Sequence, residues 1–136
     1  MTTQGRVLFL CPHNAAKSVL AVAEYDRLAQ QRGISLRADS AGTEPEAAPS
    51  PAVVAALRAD GIDVANHRPR LVTPEDLVEA HRIITFGCDI GALAPLGAAI
   101  VAWDDVPPVS RDLEGARTAI RQHVEQLVAE LAAEQG

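Results

Sequence analysis

Residues 7 to 21 read "VLFLCPHNAAKSVLA", and this stretch decides the fold. Val7 to Leu10 is an unbroken apolar run, the pattern of a strand buried on both faces of a parallel sheet. From Ser18 to Gln31 the pattern turns helical, with Leu20, Ala23 and Leu28 near one face, and Gly33 stops it. Cys11 opens the turn between them. A turn leading from a buried strand into a helix N-terminus points several backbone N–H groups into one concavity. Those amides favour an anion, and they equally stabilise a thiolate at Cys11. Lys17 adds a full positive charge, and Ser18 can donate its hydroxyl to the sulfur, as an activated nucleophile needs. His13 offers one more donor, although an exposed loop histidine is the plainer reading. The plainer reading of Cys11 is a buried strand-end thiol, since free Cys is among the most buried residue types.

The rest of the chain repeats the strand-then-helix alternation. "ISLRADSAGT" (34–43) alternates and ends in a turn. "SPAVVAALRADG" (50–61) sets Ser50 as N-cap and Pro51 at the first helical position, and "TPEDLVEA" (73–80) repeats that start with Thr73 and Pro74. "RIITFGC" (82–88) reads as the third strand and "AAIVAW" (98–103) as the fourth. The last helix carries Leu113, Ala116, Ile120, Val124, Leu127 and Leu131 on one face, with Glu114, Gln122 and Glu130 opposite. Strands separated by helices imply an open, mainly parallel α/β sheet. Ligands of such sheets bind beyond the carboxyl ends of the strands. Cys11 follows the first strand and Cys88 ends the third, so both thiols are expected at the same sheet edge.

Composition narrows the function. The 136 residues suit one domain spanning 1–136, with no internal repeat or linker. No apolar run approaches the roughly 18 residues of a membrane helix. "MTTQGRVLFL" lacks a cleavage site, so no signal peptide and a cytoplasmic location are expected. A formal charge of −6 argues against a nucleic-acid groove, which needs a basic face. Two cysteines are too few for a disulfide scaffold and lack metal-ligand spacing, so no metal is expected.

The segment "VLFLCPHNAAKSVLA" resembles the active-site loop of the low-molecular-weight protein tyrosine phosphatase and arsenate reductase superfamily. That pattern is Cys-x5-Arg followed by Ser or Thr, with an Asn three residues after the Cys. Cys11, Asn14 and Ser18 match it. "SAGTEP" (40–45), "GIDVANHRPRLVTPEDL" (61–77), "IITFGCD" (83–89) and "WDDVPPV" (103–109) resemble later blocks of the arsenate reductase branch, in order. The resemblance implies a four-stranded parallel sheet of order 2-1-3-4 flanked by helices. It implies an oxyanion held by Pro12, His13, Asn14, Ala15, Ala16, Lys17 and Ser18, with Asn14 holding the loop's shape. Cys11 would be the nucleophile and Ser18 its support.

Two positions depart from the family. Lys17 stands where the family carries an arginine; it keeps the charge but loses the planar fork of donors that clamps two oxygens. The family's general acid is an Asp directly before a Pro after the fourth strand, whereas here Asp104 and Asp105 precede Val106, Pro107 and Pro108. Asp105 is the better candidate of the two for the acid, and two solvated carboxylates at a turn are the alternative.

The four aromatic residues, Phe9, Tyr25, Phe86 and Trp103, give little to wall a phosphotyrosine slot, although Trp103 can edge a pocket. Arsenate reduction needs a second thiol, for which Cys88 is the candidate, with a buried structural thiol as its alternative. The leading expectation is therefore an arsenate-reductase-like enzyme. Its reductant would be Cys88 or an external thiol (thioredoxin, glutaredoxin or mycothiol), with no tightly bound cofactor. Hydrolysis of a small or protein phosphomonoester is the second expectation, and a non-catalytic module holding phosphate or arsenate the third. His67, Arg68 and Arg70 read as a solvated loop, the two arginines able to guide an anion.

Overall fold

The computed structural model describes residues 5–88, 90, 93 and 99–135. The chain runs β1 (Arg6–Cys11), α1 (Lys17–Gln31), β2 (Arg37–Gly42), α2 (Pro51–Ala59), α3 (Pro74–Glu79), β3 (Ala80–Thr85), β4 (Ile100–Ala102) and α4 (Leu113–Gln135). All strand pairs are parallel and the order is β2-β1-β3-β4, as expected. The second strand is shorter than its sequence block, the third starts at Ala80 and stops at Thr85, short of Cys88, and the fourth spans Ile100–Ala102. Asp89, which closes the block 83–89, and Ala98, the first residue of the expected fourth strand, lie outside the described residues.

Side-chain alternation along β1 builds two cores. Val7, Phe9 and Cys11 join a cluster formed with α1, α2 and α4, including Tyr25, Val53, Ile120 and Val124. Leu8 and Leu10 join a smaller cluster on the other face with Ala41, Val72, Leu77 and Ile83. A strand buried on both faces has no polar position to offer, which is why its sequence is a continuous apolar run. The four aromatics meet on the larger side. Phe9 lies 6.2 Å from Tyr25, 6.4 Å from Phe86 and 5.9 Å from Trp103, between ring centroids. The Tyr25 hydroxyl donates to the Leu36 carbonyl at 2.8 Å. Burial, with Asp26 beside it, pushes the Tyr25 phenol up to about 12.

Local signals set the element ends. Thr73 and Asp76 form a reciprocal capping box at α3, with Pro74 in its first turn. Asp112 receives the Gly115 N–H at 2.8 Å and so caps α4. Gly33 and Gly61, with φ of 69° and 82°, follow α1 and α2. Ser50 precedes α2 but makes no side-chain cap bond. Its backbone N–H instead reaches back to the Ala15 carbonyl at 2.9 Å.

Candidate active site

The run Pro12–Ala16 joins β1 to α1, and its first four carbonyls are held from outside. The Pro12 carbonyl accepts from Glu44 N–H at 2.7 Å, His13 from Glu46 at 3.0 Å, and Ala15 from Ser50. The Asn14 carbonyl accepts from His67 Nε2 at 2.9 Å, and the Ala16 carbonyl from Leu20 N–H at 3.0 Å. Four consecutive carbonyls, Pro12 to Ala15, thus turn outward, and that of Ala16 opens the α1 ladder. Among the described residues, no protein group accepts from the N–H groups of residues 13–16. Carbonyls outward and amides inward is the geometry of an anion nest.

Asn14 organises this turn. It is fully buried and adopts φ 51°, a conformation that asparagine tolerates better than other side-chain-bearing residues. The Arg70 backbone N–H, which can only donate, reaches Asn14 Oδ1 at 3.0 Å and so fixes the amide orientation. Asn14 Nδ2 must therefore be the donor to Ser18 Oγ, at 3.0 Å. Ser18 is also fully buried, and its Oγ lies 3.0 Å from Cys11 Sγ. With one lone pair taken by Asn14, its proton and its second lone pair remain for the sulfur, and against a thiolate the hydroxyl is the donor. The same logic assigns a proton to His67 Nε2, because a carbonyl only accepts.

Gly42 lets β2 close on the turn. A Cβ there would sit 2.7 Å from the Pro12 carbonyl oxygen and 2.9 Å from that of Cys11. Gly42 N–H donates to the Arg70 carbonyl and Gly42 O accepts from Val72, so the segment carrying His67 and Arg70 docks on the same residue. The Arg70 guanidinium is spent on Asp76 (2.9 Å) and Asp39 (3.0 Å). His67 and Arg70 are therefore buttresses of the loop. Nothing in their spacing announced it, because the partner groups are backbone atoms.

A cavity of about 690 Å³ opens over Cys11. Pro12, His13, Ala15, Ala16 and Lys17 line one side, with Pro51, Ala52, Phe86, Gly87 and Val109 as mostly apolar walls. Asn14 and Ser18 are not among its lining residues. Lys17 Nζ donates to the Val106 carbonyl at 2.9 Å, which ties the start of α1 to the loop after β4. An ammonium has three protons, so two remain for an anion.

Asp105 is elsewhere. Its Oδ1 lies 2.7 Å from His123 Nε2, and neither it nor Asp104 lines this cavity. The hydrogen bond from His123 holds the Asp105 carboxyl below its ordinary range. The His123 ring in turn stacks on Trp103 at 4.6 Å. Trp103 is core, and it edges a smaller hollow with His123 rather than the space above Cys11.

Cys88 is elsewhere too. β1 and β3 are neighbours, but Cys88 packs on the smaller cluster while Cys11 belongs to the larger one on the opposite face. The Cys88 thiol donates to the Leu10 carbonyl at 3.5 Å. Strand alternation alone would put residues 84, 86 and 88 on one face, and Ile84 and Phe86 do join the Cys11 cluster. Gly87, at φ 74°, breaks the alternation and turns Cys88 away. Among the described residues no group of His, Cys, Asp and Glu is placed to hold a metal ion.

A model of the low molecular weight phosphotyrosine protein phosphatase family matches residues 6–96. The chain belongs to that family. Within it, a Halobacterium salinarum protein named "Putative arsenate reductase" is 27% identical over 125 residues, covering 90% of this chain and 87% of its own. The solved structure of YfkJ from Bacillus subtilis superposes with a TM-score of 0.84 at 24% identity, over 99% of each chain. An arsenate reductase from Archaeoglobus fulgidus superposes at 0.69 with 29% identity, over 94% of this chain and 99% of that one. The family thus includes phosphatases and arsenate reductases. No helix among the described residues of this member is long and apolar enough to cross a membrane.

Proposed function

We propose that this family member hydrolyses phosphomonoesters through a covalent Cys11 intermediate. The observation that carries the reading is the buried chain from Asn14 through Ser18 to Cys11, set in a turn whose carbonyls from Pro12 to Ala15 all face outward. Such a turn presents its amides to a tetrahedral oxyanion, and the Ser18 proton stabilises the attacking and departing sulfur. The Cys11 Sγ–phosphorus bond forms as the ester P–O bond breaks and the alcohol leaves with a proton. Water then displaces the thiolate and phosphate is released. Lys17 adds charge with its two remaining protons. The apolar walls Pro51, Ala52 and Val109, with Phe86 the only aromatic among the lining residues, suit an alkyl or small aryl ester better than phosphotyrosine.

Arsenate reduction is the second reading, favoured by the two relatives of 27% and 29% identity that carry that name. Cys88, on the far face of the sheet, is poorly placed to resolve a Cys11 adduct. An external thiol of the thioredoxin, glutaredoxin or low-molecular-weight class would have to release arsenite and leave a mixed disulfide on Cys11. One preparation tests both readings. Hydrolysis of p-nitrophenyl phosphate that disappears in Cys11→Ser and persists in Cys88→Ser supports the hydrolase. Arsenite formation with added thiol, without ester hydrolysis, supports the reductase.

A further inference from the structure

We infer that His13 is the proton donor and acceptor of this site, taking the place of the Asp-Pro acid that the chain lacks. The inference rests on the reading of Cys11 as nucleophile. Apart from Cys11 and Lys17, the titratable groups lining the cavity are His13 and Glu46. Both candidate carboxylates after β4 lie outside it, Asp105 being engaged by His123.

The surroundings of His13 resemble an oriented base. His13 Nδ1 meets the Glu44 carbonyl at 3.1 Å, and a carbonyl accepts only, so Nδ1 carries a proton. The Glu46 carboxylate stands 4.0 Å from the same nitrogen. The 44–46 segment that supplies both groups is itself fixed to the turn through the Pro12 and His13 carbonyls. Nε2 is thus the nitrogen left to exchange a proton with a substrate, and a ring more than half exposed at 56% recovers that proton from solvent. Glu46, Cys11 and Lys17 are the charged or titratable side chains that share the cavity with it.

In the first step the Cys11 thiolate attacks phosphorus, and imidazolium Nε2–H gives its proton to the leaving ester oxygen as the P–O bond breaks. In the second, neutral Nε2 takes a proton from the water whose oxygen attacks phosphorus, the S–P bond breaks, and phosphate leaves. The imidazolium and the thiolate are both restored.

The test compares kcat/KM against pH for phenyl phosphate, a poor leaving group, and p-nitrophenyl phosphate, a good one, in wild type and His13→Gln. General-acid catalysis contributes on the order of 100-fold or more. His13→Gln should therefore lose about 100-fold on the phenyl ester, far less on the nitrophenyl ester, and should lack the alkaline fall of the wild-type profile. Phosphate should still protect Cys11 from alkylation in the variant. Equal losses on both esters, an unchanged profile, or loss of phosphate protection would each overturn the assignment. So would the leaving-group effect appearing in Asp105→Asn and not in His13→Gln. A wild type that hydrolyses neither ester would overturn the hydrolase reading and this assignment together.

Discussion

At the residue scale, the site depends on very few side-chain atoms. Ser18 has the most to lose. Ser18→Ala removes the hydroxyl between Asn14 Nδ2 and Cys11 Sγ, leaving a buried donor unpaired and a thiolate without its charge-assisted bond. A bond to a charged group of about 1.5–3 kcal/mol translates to roughly 10- to 100-fold. The alkylation rate of Cys11 near neutral pH should fall by that factor, with KM for the ester little changed. Lys17 acts on binding instead. Lys17→Met deletes both the cation and the tie to Val106, so inhibition by inorganic phosphate should weaken by about tenfold or more, measured as Ki. A Lys17→Met protein with unaltered Ki would mean that the amides alone hold the anion.

At the element scale, the β1–turn–α1 unit is stable only because β2 and the segment before α3 close on it without side-chain bulk. Gly42→Ala puts a methyl against two backbone oxygens that cannot move independently, so a loss of about 1–3 kcal/mol in denaturant unfolding is expected, together with loss of phosphate binding. The start of α3 predicts an acid limit. Burial raises the Asp76 carboxyl, but hydrogen bonds from Arg70 and Thr73 outweigh it and hold the group below its ordinary value. A depressed carboxyl contributes stability above its unfolded value, and that stability is lost as pH falls through the folded one, here below about pH 4. Asp76→Asn should flatten the acid limb of the stability profile, and Thr73→Ala should cost about 1 kcal/mol at neutral pH.

The elements themselves were legible in the sequence because burial dictates pattern. The apolar run of β1, the Gly stops and the face of α4 follow from packing alone, and Cys11, Asn14 and Ser18 sit in a spacing that suits a strand–turn–helix. Side-chain direction after a strand was not legible. One glycine at φ 74° sends Cys88 to the far face, and a turn after β4 gives Asp105 to a histidine eighteen residues on. The buttressing of Asn14 by His67 and Arg70 was hidden for another reason. It runs through backbone atoms, which leave no signature in residue type.

At the scale of the whole molecule, the two-faced sheet separates the thiols and ties global stability to one buried phenol. Tyr25, raised to about 12, is neutral in the fold at pH values where an unfolded chain ionises it. Its contribution is complete below about pH 10 and is lost as pH rises toward about 12. Tyr25→Phe should remove that alkaline loss while costing about 1 kcal/mol for the bond to Leu36. Cys88→Ser should leave ester hydrolysis intact, because its thiol serves the smaller core and not the cavity. The central claim is that Cys11 carries the phosphoryl group. The direct measurement is acid quenching during turnover of p-nitrophenyl phosphate, followed by peptide mapping by mass. A phosphate on the Cys11 peptide, absent from Cys11→Ser, is the predicted result; hydrolysis that continues in Cys11→Ser would contradict it.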